Sequence, residues 1–371
     1  MSRKLLSYTA LGLILGSTAI ADVPKVAVDI APVHSLVSRV MEGVGSPKLI
    51  IPAGASPHEY SLRPSEAKSL QDADMVIWMG EDLAPWMENS IETLSKNAEV
   101  ITLLEESDTK LLDFREGALF EEHDHGDHDD HDKDHDDHDD HDHDKDHDDH
   151  DDHDDHDDHD KDHDDHDDHD DHDDHDHDKD HDDHDDHDDH DDHGDHDGHA
   201  HGEHDPHAWL SIENAQTWLN LVAGKLSAAD PDNAGVYFAN AAAAREEIND
   251  LVKEVNSILE PARGRNFVVF HDAYQYFETS FDFPAAGAIS LGDATDPSAA
   301  RIAEIQDRVK DEGINCVLSE PQFNANLVET VTSGTDAKTG VIDPLGLGLE
   351  PGPKLYGDLI RNMGKALAGC L

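Results

Sequence analysis

Residues 25–79 read KVAVDIAPVHSLVSRVMEGVGSPKLIIPAGASPHEYSLRPSEAKSLQDADMVIWM. Within them Lys25–Ile30, Lys48–Ile51 and Met75–Met79 are short apolar runs of strand length, and His34–Met41 and Pro64–Ala73 between them read as helices. Proline in the first turn opens the second helix. Val100–Leu104 adds a fourth strand. Strands alternating with helices specify a largely parallel sheet with helices on its faces. Ligands of such sheets sit at the carboxyl ends of the strands.

The alternation resumes after Gly264. Asn266–Phe270, Ala285–Ser290, Asn315–Leu318 and Gly340–Ile342 read as strands. Tyr274–Thr279, Ser298–Glu312, a segment around Asn326–Thr332 and Lys354–Leu367 read as helices. Between the two series lie a helix over Glu213–Ala228 and a longer one, rich in alanine and charge, over Asn233–Leu259. The expected fold class is α/β: two lobes with mainly parallel sheets joined by one long helix, and a crevice between the lobes for a ligand. The expected boundaries are 22–120 and 205–232 for the first lobe, 233–260 for the linking helix and 261–371 for the second lobe.

A different kind of sequence interrupts the first lobe. Residues 121–205 hold 48 acidic residues against 4 lysines, a formal charge of −44, and 28 of the 32 histidines. That leaves −18 of the total −62 for the rest of the 371 residues. The segment is built from repeated Asp-Asp-His triplets with almost no apolar side chain. It cannot bury enough surface to offset the entropy of ordering, so 121–204 is expected to be a disordered insertion. The ordinary acidic remainder lacks the clustered Lys and Arg that bind nucleic acid or an anionic membrane surface.

Arg3 and Lys4 precede an apolar run, Leu5–Ile20, and Ala19-Ile20-Ala21 offers small residues at the positions signal peptidase reads. Residues 1–21 are expected to be a signal peptide cleaved after Ala21. Export carries Cys316 and Cys370 into an oxidising compartment, where two thiols usually end as a disulfide. A thiolate metal pair is the alternative, although neither cysteine belongs to a C-x-x-C arrangement.

Outside the insertion stand four histidines, His34, His58, His207 and His271. His58 lies in a turn-forming run, Gly54–Tyr60, directly after a strand. His207 follows Asp205-Pro206, where Asp205 can accept a hydrogen bond from the second ring nitrogen. His271 comes at the end of an apolar strand with Asp272 beside it. Asp343 stands in the same relation to Gly340–Ile342. Three imidazoles and a carboxylate at strand ends make a nearly closed N3O shell for Zn²⁺ or a related divalent ion. His34 starts a helix without such a turn and is read as a non-ligand.

These residues carry a resemblance. Gly54–Ser65 (GASPHEYSLRPS), Asp205–Leu210 (DPHAWL), Phe270–Tyr274 (FHDAY), Glu320–Phe323 (EPQF) and Asp343–Gly346 (DPLG) resemble, in order and over nearly the whole mature chain, the ZnuA-type zinc-binding proteins of the metal-specific solute-binding family. The acidic His-rich insertion before the second histidine resembles the same group. The resemblance implies two (β/α) lobes bridged by a long helix, zinc as transported ligand, a periplasmic location, and an inner-membrane ABC permease as partner. It implies His58, His207 and His271 as metal ligands, with Asp343, Glu59 or water in the fourth position. It also implies a Cys316–Cys370 disulfide. A monomer is expected.

Three borderline imidazoles favour zinc over manganese, which prefers oxygen-rich shells. The insertion reads as a low-affinity metal collector, with imidazoles for on the order of seven to nine ions at most. The alternatives are a manganese or other divalent-metal carrier of the same class, a zinc store in which the repeat alone matters, and a zinc hydrolase. Against the last, the chain has no H-E-x-x-H helix, Gly-x-Ser-x-Gly elbow or Gly-rich phosphate loop.

Overall fold

Among the described residues eight short strands hydrogen-bond into two separate four-stranded sheets, and every strand pairing within them is parallel. The computed structural model describes residues 23–115, 120, 204–290, 297–323 and 326–371. The expected signal peptide and the insertion, except His204, lie outside the described residues. All the described residues belong to one compact unit.

The first sheet has the order β2-β1-β3-β4, from Val26–Val28 (β1), Lys48–Leu49 (β2), Met75–Trp78 (β3) and Glu99–Thr102 (β4). Ala31–Val40 (α1), Pro64–Gln71 (α2) and Pro85–Leu94 (α3) connect these strands. Ile212–Ala229 (α4) and Ala234–Leu259 (α5) follow. The second sheet repeats the topology as β6-β5-β7-β8, from Phe267–His271 (β5), Gly287–Ser290 (β6), Cys316–Ser319 (β7) and Lys338–Val341 (β8). Gln275–Phe281 (α6), Ala299–Asp311 (α7), Asn326–Thr332 (α8) and Leu355–Cys370 (α9) complete it.

The 26-residue helix α5 packs on α1 and α4 of the first lobe and on α9 of the second. Its buried side chains, Tyr237, Ala241, Ala244, Ile248, Leu251, Val255 and Leu259, recur every three or four residues and so form one apolar stripe along its length. One continuous core therefore runs from the first sheet through α5 to one face of the second sheet. A smaller core of Val268, Phe270, Ile289, Ile305, Val309 and Val317 fills the opposite face of that sheet. Alternation along β5 puts Phe267 and Val269 in the shared core and Val268 and Phe270 in the smaller one. His271 has the parity of Phe267 and Val269, which turns it toward the first lobe.

Boundaries differ from the sequence reading in a few informative places. Helix α1 begins at Ala31 rather than His34, because Pro32 sits in its first turn, where a missing N–H costs nothing. His34 is thus inside the helix. Helix α3 is absent from the sequence reading; it is short and buries only Met87 and Ile91, although Met87, Ile91 and Leu94 follow helical spacing. Strand β8 runs over 338–341 instead of 340–342. It is an edge strand with mostly exposed residues, and its register comes from pairing with β7, Cys316 to Lys338 through Ser319 to Val341. His271 is the last residue of β5 rather than the first beyond it.

Cys316 and Cys370 form a disulfide with Cα atoms 5.7 Å apart, linking β7 to the end of α9. Gly340 permits this approach: a Cβ there would stand 2.9 Å from Leu318 Cδ2 and 3.1 Å from Cys370 Sγ. Among the described residues no helix is long and apolar enough to cross a membrane.

Candidate metal centre

His207 is set by its own tripeptide. Asp205 Oδ1 accepts from His207 N at 2.9 Å and from His207 Nδ1 at 2.7 Å, so the backbone turn and the ring orientation are fixed by one oxygen. The turn is anchored in turn, since Asp205 N donates to Leu112 O and Tyr276 Oη donates to Asp205 O. Trp209 packs on the His207 ring, with its Nε1 donating to Pro344 O.

His271 is set by sheet register. The pairing of β5 with β7 matches Phe267 to Cys316 and Val268 to Val317. Carried four residues on, the same offset brings Glu320, just past β7, opposite His271. Its Oε1 accepts from His271 Nδ1 at 2.6 Å, and both side chains are buried. Asp272, which stood next to His271 in the sequence reading, is committed elsewhere. Arg115 bonds both Asp272 and Glu278. Burial pushes these two carboxyls up from the usual range, and the guanidinium opposes that shift.

His58 sits in the loop after β2. Its N–H donates to Ser56 Oγ, and the loop is held from outside by Trp86 of α3, whose Nε1 donates to Pro57 O at 2.8 Å. Helix α3, absent from the sequence reading, is thus what ties this loop down.

The three rings come together. Centroids of His58 and His207 are 5.7 Å apart, and those of His207 and His271 are 5.2 Å apart. Nε2 of His207 and Nε2 of His271 approach to 3.4 Å. Both Nδ1 atoms face carboxylates, which only accept, so both carry the ring proton and both Nε2 atoms present lone pairs. At that distance a proton or a metal cation shared between the two nitrogens relieves the repulsion of their lone pairs. The cavity that the three rings line has a volume of about 20 Å³, room for one water-sized particle and far too small for an organic substrate. No group of three His, Cys, Asp or Glu among the described residues is spaced to hold a metal ion as it stands. The three rings are neighbours around one small cavity.

The other expected site residues lie differently. Asp343 Oδ1 accepts from Gln322 Nε2 and from the N–H groups of Leu345 and Gly346, holding the turn after β8. The Glu59 side chain is exposed. Neither lines the cavity, whereas Glu320 and Gln322 do. His34 is a core histidine: it is buried, its Nε2 donates to Pro47 O, and Ser38 Oγ bonds its Nδ1. Burial holds its pKa below the usual value. Sequence reasoning gave Glu320 no role. The signal was present as an acid directly after an apolar strand, at the same strand-end position as His271.

Known proteins share this arrangement of sequence. The family model described as "Zinc-uptake complex component A periplasmic" matches residues 26–370. The high-affinity zinc uptake system protein ZnuA of Paracoccus denitrificans is 43% identical over 369 residues, covering 98% of this chain and 98% of that protein. The protein of the same name from Haemophilus influenzae is 33% identical over 369 residues, covering 100% and 99%. A crystal structure of ZnuA matches with a TM-score of 0.63 at 17% identity, over 94% of this chain and 99% of that one. The SBP FpvC of Pseudomonas aeruginosa in complex with Mn²⁺ matches with a TM-score of 0.63 at 18% identity, over 94% and 97%. At these identities the solved structures bear on the fold alone.

Proposed function

Because the chain belongs to the family of the periplasmic zinc-uptake complex component A, we propose that it grips one zinc ion between its two lobes and hands it to an inner-membrane ABC permease. Proteins of this family are transport binding proteins and not enzymes, and zinc is their cargo. His58, His207 and His271 supply three nitrogens. Water fills the fourth position, because Asp343 Oδ1 is engaged in its turn and Glu59 is exposed, so either carboxylate would have to leave its place to reach the ion.

The observation that carries this reading is the 3.4 Å between the two lone-pair-bearing Nε2 atoms. Two nitrogens each about 2.05 Å from a tetrahedral ion stand roughly 3.35 Å apart. The charges agree as well. Buried Asp205 and Glu320 bring two negative charges against the backs of neutral imidazoles, matching a dication without placing a carboxylate on it. Such a shell prefers zinc to manganese.

The remaining expectations join this reading. The lobes run over 22–120 with 205–232 and over 261–371, joined by the helix of 233–260. The chain acts as a periplasmic monomer released by cleavage after Ala21, and residues 121–204 collect zinc weakly and lose it as pH falls toward 6, where protons compete for imidazole.

The test is a zinc titration of the full chain against a chelator. The triple variant His58→Ala, His207→Ala, His271→Ala loses one tight ion while weaker sites survive. Retention of the tight ion, or tighter binding of manganese than zinc at neutral pH, contradicts the reading.

A further inference from the structure

We propose that Gln322 holds the water that completes the metal's coordination and thereby decides what occupies the fourth position. This inference rests on the three-imidazole reading above. The orientation of the Gln322 amide is fixed by its partners: Nε2 donates to Ala53 O at 3.3 Å and to Asp343 Oδ1 at 3.2 Å, and both partners only accept. Oε1 therefore faces the other way. It is buried, it has no hydrogen-bond partner among the described residues, and its residue lines the cavity of the three histidines. A buried carbonyl oxygen without a donor is costly, and a native structure keeps one where a ligand supplies the missing hydrogen.

The imidazoles of His207 and His271 cannot supply it, because their N–H groups are given to Asp205 and Glu320. The donor a three-nitrogen zinc site brings with it is the O–H of its bound water, made more acidic and a stronger donor by the metal. An amide oxygen accepts from that water without adding charge, which leaves the fourth position exchangeable. The same lone pair meets an aprotic anion such as azide as a repulsion. Gln322 is accordingly a specificity-determining residue that favours water over anions at the fourth position. Its Nε2 bonds span Ala53 of the first lobe and Asp343 of the second, so the water-holding group is itself tied to both.

The test uses the full chain loaded with one equivalent of Co²⁺, whose visible spectrum reports anions entering the coordination shell. The triple histidine variant supplies the spectrum of cobalt held elsewhere on the chain. Gln322→Leu removes both the acceptor and the Nε2 donors, while Gln322→Glu removes the donors and keeps an acceptor. Azide affinity is expected to rise about fivefold in the leucine variant, the effect of one hydrogen bond, and to fall at least as far in the glutamate variant. Equal responses of the two variants, with the cobalt spectrum lost in the triple variant, overturn this proposal alone. A triple variant with the intact protein's spectrum overturns the three-imidazole reading and this proposal with it. A zinc-loaded crystal provides a measurement independent of variant folding: a water bonded to both zinc and Gln322 Oε1 is expected, and its absence overturns the proposal.

Discussion

Glu320→Gln isolates the charge behind His271. The glutamine is isosteric and its amide oxygen still accepts from Nδ1, so the ring keeps its tautomer and direction while one buried negative charge disappears. Glu320 Oε1 lies 2.6 Å from Nδ1. Across the ring and one metal–nitrogen bond, that puts the carboxylate about 6 Å from the ion. At an effective dielectric of about 20, a dication and a carboxylate so separated attract by roughly 5 kcal/mol, an upper bound because the same carboxylate also stabilises a proton on the empty site. Substitutions of such outer partners usually cost 10- to 100-fold in metal affinity. The expected result is a zinc affinity about 30-fold weaker, on the order of 2 kcal/mol, measured by chelator competition at pH 7.5 with the circular dichroism spectrum unchanged. Asp205→Asn, acting on the other ring, is expected to fall in the same range. A folded Glu320→Gln protein that binds zinc within threefold of the parent would refute the reasoning, since the carboxylate would then be holding structure and not charge.

Asp29 is fully buried at the end of β1, where its two oxygens accept from Ile30 N and Met79 N, and burial pushes its pKa up to about 7 against those bonds. An acid raised in the folded state contributes stability that is intact below its unfolded pKa of about 3.9 and is lost as pH rises through 7. Urea denaturation of metal-free protein should therefore show the parent losing on the order of 2 kcal/mol relative to Asp29→Asn between pH 5 and pH 8, and a difference that is the same at both values contradicts the assignment. Gly340→Ala forces a Cβ against Leu318 and Cys370 and should cost about 1 to 3 kcal/mol; an unchanged melting temperature would show that the α9 end moves freely. Replacing both Cys316 and Cys370 by serine opens a loop of 54 residues and should cost up to about 4 kcal/mol while leaving zinc stoichiometry intact, whereas loss of the tight zinc ion would tie the bridge to the site.

What could be read from the chain was the part encoded locally. Apolar runs such as Phe267–Phe270 announce themselves as buried strands, and Asp205-Pro206-His207 contains both a ligand candidate and its hydrogen-bond acceptor within three residues. What could not be read depended on register. Glu320 reaches His271 because β5 and β7 are neighbours with an offset of 49 residues, a fact of sheet order that no single run of sequence displays. Helix α3 is missing from the sequence reading although Met87, Ile91 and Leu94 follow helical spacing, and its Trp86 holds the His58 loop. Asp343 stands at a strand end, and nothing in the residues around it shows that Gln322, Leu345 and Gly346 all bond its Oδ1.

The central claim concerns one ion and three rings, and anomalous diffraction at the zinc absorption edge from crystals of the chain loaded with a single equivalent of zinc tests it most directly. The account predicts a peak about 2.0–2.1 Å from Nε2 of His207, Nε2 of His271 and a ring nitrogen of His58. A strong peak elsewhere in the two lobes, with those nitrogens left unligated, would contradict it.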